Sequence, residues 1–171
     1  METNRHFEII PALLKELDSE ILTTRKFIAL VPEDHGDWQP HPKSMKLRVL
    51  ALHIADLPGW VKMALTTEEM DFLKSPYEQP PINDTAGMMQ LLEQNYEEGR
   101  KALASATEQD MLGTWTLRSG DQIHAVMTKY ETIRHAFQQT THHRAQLGVY
   151  LRLLNIPIPG SYGPSADEQG F

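Results

Sequence analysis

Apolar residues recur at three- and four-residue spacing through most of this chain, the signature of helices with one buried face. In the first such stretch, expected from about Thr3 to Leu30, the repeating positions are Phe7, Ile10, Leu13, Leu14, Leu17, Ile21 and Ile28. Pro11 falls inside it and either kinks the helix or marks its first turn. Val31 to Lys43 carries Pro32, Gly36, Pro40 and Pro42 and reads as a loop. A second helix is expected from Ser44, a residue able to cap, with Leu47, Leu50, His53, Ile54, Leu57, Trp60 and Val61 on one face. Pro58-Gly59 predicts a bend or break within it. Glu68 to Pro81 reads as a loop, broken by Pro76, Pro80 and Pro81. A third helix follows, capped by Asp84 or Thr85, with Met88, Leu91, Leu92, Tyr96, Ala102 and Leu103 as its stripe. Between Gly113 and Met127 the period drops to two, with Ser119-Gly120-Asp121 at the turn, which predicts a short β-hairpin. The last helix is expected from about Lys129 to Asn155, with Ala136, Gln139, His143, Leu147, Tyr150 and Leu154 on one face, and Pro157 and Pro159 stopping it.

Four long amphipathic segments predict an all-α class: a four-helix bundle with a short hairpin before the last helix. The 171 residues suit one domain spanning 1–171. The formal charge of −7 opposes non-specific nucleic-acid binding and docking on anionic membranes. The chain contains no cysteine, which removes disulfides, thiolate metal ligands and a cysteine nucleophile together. That fits a reducing cytoplasm. No apolar run approaches the roughly 20 residues needed to cross a bilayer, and the first residues lack the basic and apolar regions of a signal peptide.

The histidines carry the candidate chemistry. Of the eight, His53 sits on the apolar stripe of the second helix, where a bundle builds its ligand sites. On the last helix His135, Gln139 and His143 are spaced by four, so successive members lie about 40° apart around the axis. That spacing lets one helix offer two ligands to one metal. His142 points about 100° away from His143, so at most one of the two can face the interior. Against this stands the plainer reading, in which an inward histidine is a hydrogen-bonded core or interface residue. His6, His35 and His41 stand in terminal or loop contexts.

Several segments together carry a family resemblance. They are Trp38-Gln39-Pro40-His41-Pro42-Lys43-Ser44-Met45, Leu52-His53-Ile54-Ala55, His142-His143-Arg144-Ala145-Gln146-Leu147, Tyr150-Leu151-Arg152-Leu153-Leu154 and Tyr162-Gly163-Pro164-Ser165-Ala166-Asp167-Glu168. In this order they resemble the DinB-like (damage-inducible) four-helix-bundle metalloproteins, which are related to bacillithiol- and mycothiol-dependent enzymes. The resemblance implies an up-up-down-down bundle with a long crossover, usually a homodimer. It also implies a divalent metal, zinc or nickel, held by three histidines: one matching His53, one matching His143, and one where this sequence has Gln139. The amide oxygen of Gln139 is a weaker ligand than imidazole for such metals. Three readings follow: Gln139 completes a weaker site; His135 swings in; or metal binding is lost and a polar core remains. The first is taken forward, with His53, Gln139 and His143 as the metal set. The usual glycine after the arginine is Ala145 here, a packing change. Arg144 and Gln146 are expected to orient His143, and the segment from Tyr162 to Glu168 to lie over the bundle or a dimer seam.

By that resemblance the protein is a metal-dependent thiol S-transferase or hydrolase acting on a small molecule. No general base stands out; His135 and His142 are the candidates. The alternatives are a non-catalytic metal- or ligand-binding module and a stress-associated structural dimer. Val149 and Leu153, an apolar outer stripe on the last helix, suit a dimer face. Open positions at the metal would favour the enzyme over the other two.

Overall fold

The computed structural model describes residues 8–76, 78 and 80–169. Thr3, His6 and Phe7, expected in the first helix, lie outside the described residues. Helix α1 spans Ile9–Ile28. Pro11 therefore occupies its first turn, where a missing N–H breaks no intrahelical bond, and the kink reading falls away. Leu13, Leu17, Ile21 and Ile28 are buried along one side, as their spacing predicts.

The second helical segment is two helices, α2 over Leu47–Asp56 and α3 over Gly59–Thr66. The break falls at Leu57-Pro58, because proline has no N–H to continue the ladder. Ser44 does not cap α2; the capping position is Lys46, with no side-chain bond. Loop carbonyls take over that task. The N–H of Leu47 donates to the Trp38 carbonyl at 2.8 Å and that of Arg48 to Gly36 at 3.0 Å, satisfying donors a helix start leaves open.

Helix α4 spans Thr85–Ala104, capped by Asp84, whose carboxylate accepts from the Gly87 N–H. At Gly99 its backbone comes so close to the break that a Cβ would lie 2.3 Å from the Pro58 carbonyl oxygen. Only glycine permits that approach. Helix α5 spans Lys129–Leu153 and opens with a capping box between Thr128 and Glu131. It closes on Asn155 at φ 59°, a left-handed stop that asparagine tolerates. Helices α4 and α5 each pack on α1, α2 and α3. With α2 and α3 as one bent member, the five α-helices among the described residues make four rods around the core.

The class is helical with a small sheet rather than all-α. The hairpin is present, β2 over Thr114–Ser119 and β3 over Gln122–Thr128, turned at Gly120 with φ 57°. A third strand, β1 over Glu69–Asp71, lies in the segment expected to be loop and pairs in parallel with β2. Three residues are too short to show a period. What holds them is remote: the buried Asp71 carboxylate accepts from the Gly120 N–H at 2.9 Å, and the Trp115 indole donates to Thr67 at 3.0 Å.

Candidate metal centre

The bend between α2 and α3 opens the bundle beside α5, and two histidines meet there. His53 on α2 and His143 on α5 have ring centroids 4.6 Å apart, edge to face. Both are half-buried. The ring of Trp60, from the first turn of α3, stands at 6.4 Å from His53 and walls the pair. Three helices thus deliver one side chain each, and the proline break lets α2 and α3 both reach the same spot.

Electrostatics keep both imidazoles neutral near pH 7. Burial, then the neighbouring His143, push His53 down to about 4. His143 is lowered chiefly by burial, opposed by its hydrogen bond to Gln146 and reinforced by His142. Neutral imidazole is the form that ligates a metal. The Gln146 Oε1 accepts from His143 Nδ1 at 2.8 Å, which fixes the tautomer and leaves Nε2 with a free lone pair. This is the orienting role expected of Gln146.

Gln139 lies one turn before His143, half-buried, and donates from Nε2 to His135 Nε2 at 3.3 Å. His135 is therefore spent on Gln139. His142 is exposed, with its ring 4.8 Å from that of His143. Among the described residues no three His, Asp or Glu side chains gather as a metal cluster. The donor set fits two imidazoles and an amide oxygen, and offers no third imidazole or carboxylate. His35 pairs with Asp34 at 2.8 Å, His41 accepts from the Lys43 N–H at 3.1 Å, and His124 bonds Ser119 at 2.8 Å; none of these joins the pair.

Asp56 and Asn95 escaped the sequence reading. Asp56 follows His53 by one helical turn and accepts from the Trp60 indole at 3.3 Å and from Asn95 Nδ2 at 3.5 Å. Burial raises its carboxyl above the ordinary value, against the pull of those two bonds. A carboxyl three residues after an inward histidine was the available signal.

Arg144 does not orient His143; it turns inward. Its side chain is 2% exposed and pairs with Glu20 of α1 at 2.6 Å. It also donates to Thr24 Oγ1 at 3.0 Å and to the Tyr162 hydroxyl at 2.9 Å. Tyr162 in turn donates to Glu20 at 2.9 Å, so the C-terminal segment is fastened over α1 and α5. A groove of about 440 Å³ runs between that segment and the α5 stripe of Ala145, Val149 and Arg152. At about 100° per residue this stripe is on the far side of α5 from His143.

The DinB family model matches residues 1–169. Among solved structures, a DinB-like protein of Bacillus cereus is similar at 16% identity and TM-score 0.70, covering 89% of this chain and 97% of that one. A DinB-like protein of Bacillus subtilis is similar at 17% identity and TM-score 0.69, covering 93% and 99%. YfiT from Bacillus subtilis, described as a probable metal-dependent hydrolase with an unusual four-helix bundle topology, is similar at 15% identity and TM-score 0.66, covering 92% and 94%. These identities support a shared fold. Among curated proteins nothing matches the chain.

Proposed function

Because this chain belongs to the DinB family, we propose that it binds a divalent metal between α2 and α5 through His53, Gln139 and His143. The observation that carries this reading is the pair of neutral imidazoles 4.6 Å apart, contributed by two helices. A structural histidine in a core is normally satisfied by a fixed partner. Here His143 Nδ1 has Gln146, and among the described residues its Nε2 has no hydrogen-bond partner.

The function proposed is that of a metal-dependent hydrolase or thiol S-transferase acting on a small molecule. A bound zinc or nickel ion would supply Lewis-acid activation of water or of a thiol. This chain's own residues prepare the place. Gln146 holds the His143 ring and its proton. Trp60 gives the pair an apolar wall that excludes water from one side. Asp56, whose carboxyl burial raises above its ordinary value, bonds the Trp60 indole beside the pair and is the carboxyl placed nearest that wall. Both histidines are only half-buried, so solvent reaches the pair, as an enzyme site requires and a sealed binding module does not. The reading extends to one domain with helices running up-up-down-down, acting as a cytoplasmic homodimer. No helix among the described residues is long and apolar enough to cross a membrane.

The test is elemental analysis of protein purified without a histidine tag or chelating resin, wild type beside His143→Ala. Near-stoichiometric zinc, nickel or another divalent metal in the wild type, lost in the variant, is expected. No metal in either, even after divalent ions are added, would sink the metalloenzyme reading.

A further inference from the structure

The hydrogen bond between Gln139 and His135 has a use that metal ligation by Gln139 alone does not explain. A glutamine amide is ambivalent: it can present its carbonyl oxygen or its NH2, and only the oxygen ligates a cation. On a helix its long side chain also has rotamer freedom that must be lost on binding. In this chain both problems meet one neighbour. Gln139 Nε2 donates to His135 Nε2 at 3.3 Å. Among the described residues that is the only hydrogen bond of the amide, so Oε1 remains available at its other end. His135 precedes Gln139 by one turn and His143 follows by one turn, so the amide stands between them on one helix face.

From this geometry we infer that His135 is a positioning residue, which turns the Gln139 amide so that its oxygen, not its nitrogen, is offered to a divalent metal beside His53 and His143. The inference rests on the metal reading proposed above. It makes His135 a buttress for the third ligand rather than a ligand or a base. It also explains how a glutamine can serve where an imidazole would bind more strongly: the weaker donor is held in place by a neighbour, as histidine ligands are held by their own outer partners.

Cobalt(II) added to metal-free, untagged protein is the probe, with affinity from competition against a chelating dye and ligand field from the visible absorption bands. The variants are His135→Ala, Gln139→Ala, the pair combined, and His135→Gln, whose side-chain oxygen can accept the same N–H. Circular dichroism confirms that each is folded. His135→Ala should weaken cobalt binding by about 10-fold or more, the usual loss when an outer partner is removed. His135→Gln should recover most of that loss. In the Gln139→Ala background, where no amide remains to be turned, removing His135 should change neither affinity nor spectrum. An unchanged affinity in His135→Ala overturns the inference while leaving the metal reading standing. So does an equal loss with and without Gln139, which would make His135 a ligand. Failure of the wild type to bind cobalt at all overturns both.

Discussion

Replacing Arg144 with alanine should destabilise the fold by about 3–5 kcal/mol, the cost of breaking one side of a buried ion pair. The size follows from what the guanidinium leaves behind. Its side chain is 2% exposed and that of Glu20 16%. Without it, the Glu20 carboxylate keeps the Tyr162 hydroxyl as its partner, in surroundings that no longer supply a positive charge. Thr24 loses its donor and Tyr162 loses one of its three tethers. Arg100 is the internal control. It pairs with Asp18 at 2.8 Å, but the two side chains are 45% and 37% exposed, so Arg100→Ala should cost far less, solvent screening having already weakened the pair. Thermal unfolding followed by circular dichroism reads both, and loss of the buried pair should lower Tm by roughly 6–20 °C at about 2–4 °C per kcal/mol for a chain of this size. Combining Arg144→Met with Glu20→Gln should recover part of the loss, because the stranded carboxylate is then gone. If Arg144→Ala proves no worse than Arg100→Ala, the assignment of that charge pair as a buried, interior-defining contact is wrong.

Two further outcomes follow from the geometry. Because burial holds His53 near 4 against an ordinary 6.5, the unfolded chain takes up that proton first; stability is full above pH 6.5 and lost as pH falls toward about 4. In metal-free protein, the urea midpoint should therefore drop more over that interval in wild type than in His53→Gln, and equal drops would refute the buried-imidazole account. Gly99→Ala should destabilise by about 1–3 kcal/mol, since the new Cβ would fall 2.3 Å from the Pro58 oxygen; a neutral result in thermal unfolding would show that α3 and α4 can part freely.

Much of this was legible in the sequence, for identifiable reasons. The stripes of α1, α4 and α5 are long, so their period survives a few exceptions, and Pro58-Gly59 marked its break by chemistry alone. The hairpin carried both alternation and a turn glycine. Strand β1 was not legible because its three residues are held by β2, whose paired residues Thr116–Arg118 lie 47 positions further on; no local pattern encodes such a partner. The start of α2 was misplaced because its open N–H groups are met by loop carbonyls from Trp38 and Gly36, which leave no capping side chain to see. His53 and His143, which the structure brings together, were singled out by face and spacing and joined as one set by the family resemblance. Asp56 was missed because it reads as an ordinary polar residue near a helix end, and its burial depends on Trp60 and Asn95 from two other helices.

The three consecutive residues His142, His143 and Arg144 face three different environments: solvent, the cleft and the interior. Each step along a helix is about 100°, so this triplet works as an angular index for α5. Turning the helix by one residue in one sense would bring the Arg144 guanidinium into the cleft and strand Glu20; turning it in the other sense would bury the His143 imidazole in place of that guanidinium. Apolar packing alone would give no such sharp penalty, since neighbouring leucines can exchange places at modest loss. The orientation of the candidate ligands is therefore enforced from the side of the helix away from the cleft. Side chains on that face could therefore change identity while the direction in which each position points stays the same.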